Sequence, residues 1–134
     1  MRVIATILAI LYACIVSVSA AKTVRGIATA YSKPGQMNKT GRNACGFNPR
    51  SLPRKYQKYF AAMNERDFKK AGRPCGKCVK AKGRKGTVYA KIVDICPKKY
   101  CKSGHVDFST VALQKATGYS WDKKPISWKI VKCP

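Results

Sequence analysis

The segment Val93–Ser109 (VDICPKKYCKSGHVDFS) contains most of the side chains in this chain that could do chemistry. Two of the five acidic residues, Asp94 and Asp107, lie in it together with His105, the only histidine. Because His105 and Asp107 are two positions apart, they point to the same side of an extended segment. Two carboxylates could act as general acid and as base or nucleophile in glycoside hydrolysis. A single acid would serve a lytic transglycosylase, in which a hydroxyl of the sugar itself attacks.

A structural role for Asp107 is equally open. It directly precedes a predicted short helix, and a carboxylate is favoured at a helix N-terminus. The many lysines around the aspartates also predict lowered pKa values, which suit a hydrogen-bond acceptor better than an acid. Hydrolysis would need a second, separately placed carboxylate, and the sequence does not supply one. We therefore expect binding rather than catalysis at this segment.

The cysteine pair in CGKC, Cys75 and Cys78, has the spacing of redox and zinc sites. A zinc site needs a second ligand pair, which a single histidine does not supply. A redox Cys-x-x-Cys normally begins a helix, whereas this one enters a predicted strand. The sequence therefore predicts disulfides here, with neither a metal site nor a cofactor.

The first 21 residues have the pattern of a secretory signal peptide. Arg2 precedes an apolar run over residues 4–18, and small residues follow at 17–21, so cleavage is expected after Ala20 or Ala21. We expect residues 22–134 to form one domain that is secreted and monomeric, and no later segment is apolar enough to span a bilayer. An even number of cysteines in a small secreted domain predicts three disulfides. The six remaining cysteines are Cys45, Cys75, Cys78, Cys96, Cys101 and Cys133.

The charge of the chain predicts anionic partners. Loss of Arg2 with the leader lowers the formal net charge from +23 to +22. Such a protein attracts acidic polysaccharides and other polyanions. A high isoelectric point is also typical of nucleic-acid binders. Here, however, the basic residues are spread along the whole chain, so nucleic acid is not the partner we expect.

The pattern of elements predicts a mostly-β barrel with one or two short helices. Strands are predicted at 23–31, 59–64, 75–82, 87–95 and 126–133, and a long loop at 32–54 is held by Cys45. Asn64 is a good N-cap for a helical turn. A short helix is predicted over 109–117, with Gly118 as its end. In the last strand Trp128 is expected in the core.

Seven segments, taken in order, resemble the double-psi β-barrel proteins. They are GIATAYS (26–32), ACGF (44–47), AAMNERDF (61–68), PCGKCVKA (74–81), VYAKIVDICP (88–97), GHVDFSTVALQKATG (104–118) and ISWKIVKCP (126–134). The family includes expansin domain 1, barwin, plant natriuretic peptide-like proteins and bacterial rare lipoprotein A. The resemblance covers the whole chain after the leader and implies a six-stranded barrel with an open groove.

The resemblance also implies specific pairings and site residues. The implied disulfides are Cys45–Cys75, Cys78–Cys133 and Cys96–Cys101. The implied groove residues are Thr29, Tyr31, Asp94, His105 and Asp107. Tyr31 could offer its ring to the face of a sugar, and an ordinary barrel role for Thr29 and Tyr31 is equally open. Asp107 matches the aspartate proposed as general acid or base in the transglycosylase relatives. Trp121, in a loop with Tyr119, is a weaker aromatic candidate.

The function expected from this resemblance is non-hydrolytic binding of cell-wall polysaccharide, including acidic polymers. Two alternatives stay open. One is a secreted inhibitor of a protease, or an effector, with the same fold. The other is a lytic transglycosylase that uses Asp107.

Overall fold

The computed structural model describes residues 22–134, so the expected signal peptide at 1–21 lies outside the described residues. Six strands form a closed barrel in the order β1-β5-β2-β4-β3-β6. Their bounds are β1 Val24–Ser32, β2 Phe60–Asn64, β3 Cys78–Lys82, β4 Thr87–Cys96, β5 Val106–Ser109 and β6 Lys124–Val131. Three short helices accompany them: α1 Arg54–Lys58, α2 Glu65–Lys70 and α3 Thr110–Thr117. The expected six-stranded, mostly-β architecture is confirmed.

The strand pairing mixes parallel and antiparallel neighbours. β1 pairs with β5, and β2 with β4, in parallel, whereas the other pairs are antiparallel. Parallel neighbours cannot be joined by a hairpin, because the chain must cross over between them. Between β1 and its parallel neighbour β5 the chain passes through the long β1–β2 segment and strands β2 to β4, and between β2 and β4 it passes through α2 and β3.

The barrel interior is apolar and follows the predicted alternation of β4. Val88, Ala90 and Ile92 are fully buried in the main core, which also contains Trp128 as expected. Burying such side chains stabilises the fold by roughly 1.5–3 kcal/mol each for the larger ones. A second apolar cluster lies around Phe60, where the long β1–β2 segment covers the barrel.

Most of the local predictions are confirmed. The Asn64 side chain accepts a hydrogen bond from the Asp67 amide at the start of α2. Gly118 ends α3 with a φ of 85°, in the left-handed region that glycine tolerates. Helix α1 was not predicted, because RKYQK follows a proline-rich loop and is only five residues long.

The alternative role of Asp107 as a helix cap is wrong. The N-cap of α3 is Ser109, whose hydroxyl accepts a hydrogen bond from the Ala112 amide at 3.3 Å. Asp107 lies two residues earlier, inside β5. Its carboxylate is therefore held on the barrel surface rather than at the helix end.

Three disulfides join Cys45 to Cys75, Cys78 to Cys133 and Cys96 to Cys101, as the resemblance implied. The first fixes the middle of the long β1–β2 segment, and the third closes the loop after β4. Within residues 22–134, none of the helices is long and apolar enough to cross a membrane.

Candidate functional site

Strand register brings the two aspartates into one row across the barrel. Thr29 on β1 pairs with Asp107 on β5, Asp107 pairs with Ala62 on β2, and Ala62 pairs with Asp94 on β4. Four neighbouring strands thus contribute Thr29, Asp107, Ala62 and Asp94 in sequence. The small side chain of Ala62 between the two carboxylates leaves open space. A cavity of about 360 Å³ lies there, and both aspartates line it.

An irregularity in β4 is what turns Asp94 towards this cavity. Ala61 pairs with Ile92 but Ala62 pairs with Asp94, so one residue of β4 is left over. Such a bulge reverses the alternation of side chains beyond it. Accordingly Ile92 and Ile95, three positions apart, both pack in the main core. Asp94 therefore lies on the outer face of the barrel, where regular alternation would have buried it.

A chain of hydrogen bonds connects His105 to Asp107 through Thr29. The Thr29 hydroxyl donates to Asp107 Oδ1 at 2.7 Å, and Thr29 Oγ1 also lies 2.7 Å from His105 Nε2. A hydroxyl has one hydrogen to donate, so Thr29 must accept from the Nε2–H of His105. This arrangement fixes the tautomer of the imidazole. The remaining oxygen of Asp107, Oδ2, accepts no hydrogen bond from residues 22–134.

Burial controls the ionisation of both ends of this chain. Burial raises the pKa of Asp107 to about 6; the Thr29 hydrogen bond opposes the shift, and the charge of Asp94 adds to it. The lowered pKa expected for a lysine-rich surrounding is therefore wrong for Asp107, because desolvation outweighs the distant cations. Burial, with the charge of Lys123, lowers the pKa of His105. The imidazole is thus neutral at neutral pH.

One oxygen of Asp94 is bonded to the backbone. Its Oδ1 accepts hydrogen bonds from the amides of Ala44 at 3.0 Å and Ile95 at 2.9 Å. The first of these bonds ties the segment around Cys45 to the edge of the cavity. Asp94 therefore shapes one wall of the cavity and is less free than Asp107 to act on a ligand.

Tyr31 lines the same cavity as the two carboxylates. Its ring packs edge-on against Phe60, with 5.9 Å between the ring centroids. Its hydroxyl is buried and has no hydrogen-bond partner within the described chain. Burial, followed by the charges of Asp94 and Asp107, raises the pKa of this hydroxyl, so it stays protonated. Tyr31 thus forms part of the cavity wall and has a buried hydroxyl, rather than the free ring face that its place in the sequence allowed.

A second network holds the loop that carries His105. The carboxylate of Asp67 accepts hydrogen bonds from the Gly104 amide at 2.7 Å, from the Ser103 hydroxyl and from the side chain of buried Asn64. The Asn64 side chain also donates to the His105 carbonyl at 3.0 Å. The sequence predicted Asn64 only as the N-cap of a helical turn, and no local pattern indicated that Asn64 and Asp67 hold the loop before β5.

Two cavities meet at Tyr100 and together form the groove. The first contains Tyr31, Asp94 and Asp107, and the second, of about 540 Å³, contains His105 and Lys123. Tyr100 lines both cavities, and 68% of its surface is exposed. An exposed aromatic ring between two polar cavities is suited to contact the face of a sugar. Tyr100 was not among the residues predicted from the sequence; its place in the short Cys96–Cys101 loop was the available signal.

The Cys96–Cys101 disulfide supports this groove directly. Both sulfurs and an oxygen of Asp107 lie within 4.8 Å of one another. Because the sulfurs are bonded to each other, they are not available as thiolate ligands for a metal. The disulfide therefore packs beside the Asp107 carboxylate and supports its position.

The two tryptophans differ in position. Trp128 is buried, and its indole donates to the Gly104 carbonyl at 2.9 Å, which adds a further hold on the loop before His105. Trp121 is 58% exposed in the loop between α3 and β6, near exposed Tyr119. It lines neither cavity of the groove.

The geometry agrees with that of known barrel proteins. No protein-family model matches the sequence, and no curated protein does so. Among solved structures, an expansin of Clavibacter michiganensis is 29% identical with a TM-score of 0.67, over 84% of this chain and 52% of that chain. A variant of the same expansin, solved in complex with cellohexaose, is 28% identical with a TM-score of 0.67. This chain is a double-psi β-barrel protein.

A second relative of this double-psi β-barrel shows the fold alone. It is the Streptomyces papain inhibitor, which is 22% identical with a TM-score of 0.59, over 83% of this chain and 96% of that chain. The barrel described here spans only about half the length of the expansin.

Proposed function

We propose that this double-psi β-barrel binds a cell-wall polysaccharide of the cellulose type in the groove around Asp107 and does not hydrolyse it. The observation that carries the proposal is the Thr29–Asp107–His105 chain, which leaves Oδ2 of Asp107 free beside exposed Tyr100. A carboxylate acceptor beside an aromatic ring matches the hydroxyls and the apolar face of a sugar. The expansin crystallised with cellohexaose supports a glucan as the ligand.

The remaining acids support binding without hydrolysis. Two-carboxylate hydrolysis needs a second group free to act as base or nucleophile. Asp94 is the other carboxylate that lines the groove; its Oδ2 is also without a partner in residues 22–134, but two backbone amides on Oδ1 hold the group in the cavity wall. Glu65 and Asp122 are paired with lysines, and Asp67 holds the 103–104 loop. Three disulfides support secretion, which places the protein where such polymers occur.

The test is retention on insoluble cellulose, chitin, pectin and peptidoglycan at low and moderate salt. Groove contacts to a neutral sugar include no ion pair, so the amount retained on cellulose or chitin should be the same at low and moderate salt. Retention on acidic polymers, driven by the net charge, should fall, since salt screens exposed charges within about 8 Å at physiological ionic strength.

Asp107→Ala should weaken the salt-resistant retention and leave the salt-sensitive retention unchanged or slightly stronger. Asp122→Ala is the matched control, because it removes the same charge from an exposed loop outside the groove. A folded protein that binds none of the four polymers contradicts the proposal. So does an Asp107→Ala variant that keeps the salt-resistant component.

One observation favours the transglycosylase as a second candidate. A carboxyl with a pKa of about 6 holds its proton in mildly acidic medium and could then protonate a leaving sugar. Release of soluble sugar from a wall preparation at pH 5, lost in Asp107→Asn, would establish this activity. The inhibitor alternative shares only its fold with the papain inhibitor, and inhibition of papain at near-stoichiometric ratio would be its signature. Trp121 stays a prediction as a sugar contact.

A further inference from the structure

A strongly basic surface adjoins the groove and shares only Arg42, among its cations, with the cavity that contains Asp107. We define the basic surface by six exposed cations from the segment that connects β1 to β2: Lys39, Arg42, Arg50, Arg54, Lys55 and Lys58. Residues 33–63 contain no aspartate or glutamate. The surface is therefore basic without any acidic residue interspersed.

No aspartate or glutamate within residues 22–134 pairs with any of these six cations, and Lys55 Nζ donates to an oxygen of Pro134 at 2.6 Å. The ion pairs of that range are Lys69–Glu65 and Lys124–Asp122, both elsewhere on the barrel. Of the other three acids, Asp94 and Asp107 lie in the groove and Asp67 is bonded to the loop before His105. Like charges held together repel one another and raise the local concentration of anions. An unneutralised cluster of this kind is better explained by an external anion than by stability.

The backbone beneath the basic surface is rigidly held. The side chain of Asn43 is buried and bonds to Asn38 Oδ1, to the Phe47 carbonyl and to the Phe47 amide. Met37 and Tyr56 are buried in the apolar cluster around Phe60. The Cys45–Cys75 disulfide closes the same segment. The cations are thus presented on an ordered support, which lowers the entropic cost of binding.

The shape of the basic surface is a track of three adjoining depressions. They have volumes of about 570, 710 and 460 Å³. The first two share Gln57, and the second and third share Asn48. The third shares Gly41 and Arg42 with the cavity that contains Asp107. The track therefore runs into the end of the groove at Arg42.

We propose that the basic surface is a second binding site, for a carboxylate-bearing polysaccharide such as a uronic-acid chain. The choice of a polysaccharide rests on the proposed function of the groove, with which the track is continuous. Neutral amides from Gln36, Asn38, Asn48 and Gln57 lie between the cations and suit sugar hydroxyls. Single-stranded nucleic acid would need aromatic rings for base stacking. Two rings do line the depressions, Phe47 and Tyr59, but both are half-buried and lie under the ammonium groups of Lys91 and Lys115. The large exposed aromatics of the described chain, Tyr100, Tyr119 and Trp121, lie outside the three depressions.

A pair of matched triple variants tests the site. The first combines Lys39→Gln, Arg50→Gln and Lys58→Gln, which lie on the basic surface and have no side-chain hydrogen bond to lose. The control combines Lys82→Gln, Arg84→Gln and Lys85→Gln, three exposed residues at the end of β3 and in the turn that follows it, outside the depressions. Both remove two lysines and one arginine, so the change in net charge is identical. Thermal unfolding verifies that both remain folded.

Binding is measured by calorimetry to an oligogalacturonate, its methyl ester, cellohexaose and an oligonucleotide of matched charge, all at 50 mM salt. Each exposed ion pair with the ligand should raise the affinity a few-fold. The basic-surface triple variant loses three such pairs, so its affinity for oligogalacturonate should fall roughly 5- to 30-fold. The control triple should lose at most about 2-fold, because only the long-range field changes. The methyl ester should bind the parent protein more weakly than the acid.

Equal losses in the two triples would overturn the site, since they would make net charge the whole cause. Tighter binding of the oligonucleotide than of oligogalacturonate, lost in the same triple, would overturn the assignment to polysaccharide. The proposed function fails separately: it is decided by cellohexaose, whose affinity should respond to Asp107→Ala and not to the basic-surface triple.

Discussion

The Thr29 hydroxyl donates a 2.7 Å hydrogen bond to Asp107, its partner in the parallel register of β1 and β5. Two strands that are far apart in sequence thus supply one polar unit, and His105 completes it through the oxygen of Thr29. Because a valine has the same shape as threonine without the hydroxyl, this unit can be broken with little change in packing volume.

Thr29→Val should raise the pKa of Asp107 above its value of about 6. The Thr29 hydrogen bond stabilises the ionised carboxylate, so removing it favours the protonated form. The measurement is a carbon-detected NMR titration of the Asp107 carboxyl group. Thr29→Ser retains the hydroxyl and should stay close to the parent. An unchanged or lower pKa in Thr29→Val would show that the hydrogen bond does not act on the carboxylate.

Asp107→Asn should stabilise the protein at neutral pH. The folded-state pKa of about 6 exceeds the ordinary value of 3.8, so the folded protein favours the protonated carboxyl. The stability that this gives is fully present below pH 4 and is lost as the pH rises through 6. Two pKa units correspond to about 3 kcal/mol, and partial exposure reduces this to about 1–2 kcal/mol. Urea unfolding should show that gain at pH 7.5 and almost none at pH 4. A gain that is the same at both pH values would mean that ionisation of Asp107 is not its cause.

The sequence could predict the elements and the candidate residues, but not how they meet. Alternation and turn residues locate β3 and β4, and the pairing of cysteines follows from the resemblance. The bulge that turns Asp94 outwards depends on the register between β2 and β4, which no local pattern encodes. The raised pKa of Asp107 was missed for a related reason. Burial is set by neighbouring strands, whereas the charge count of the sequence indicated a lowered value.

Asp67→Ala should loosen the loop that carries His105. The change leaves the Gly104 amide, the Ser103 hydroxyl and the buried Asn64 side chain without their acceptor. An unsatisfied buried donor costs about 1–3 kcal/mol, so we expect a loss of roughly 2–3 kcal/mol in the free energy of unfolding. Affinity for cellohexaose should fall as well, because His105 and Thr29 lose their fixed geometry.

Glu65→Ala is the control for Asp67→Ala on the same helix. Glu65 forms an exposed pair with Lys69 at 2.9 Å, and such pairs contribute little. This variant should match the parent in stability and in cellohexaose affinity. Equal behaviour of the two variants would show that the Asp67 network does not position the site.

Removing the Cys78–Cys133 and Cys96–Cys101 disulfides should affect stability and ligand affinity in opposite orders. In the chain-entropy description the gain grows with loop length, to about 4 kcal/mol for Cys78–Cys133 and about 2 kcal/mol for Cys96–Cys101, at sequence separations of 55 and 5. Replacing both cysteines of each pair by alanine should therefore destabilise the first variant more. Cellohexaose affinity should show the opposite order, because Cys96–Cys101 braces Asp107 and holds Tyr100 in its loop. Calorimetric titration below the unfolding temperature of both variants measures this. A larger loss of affinity in the Cys78–Cys133 variant would place the binding site elsewhere on the barrel.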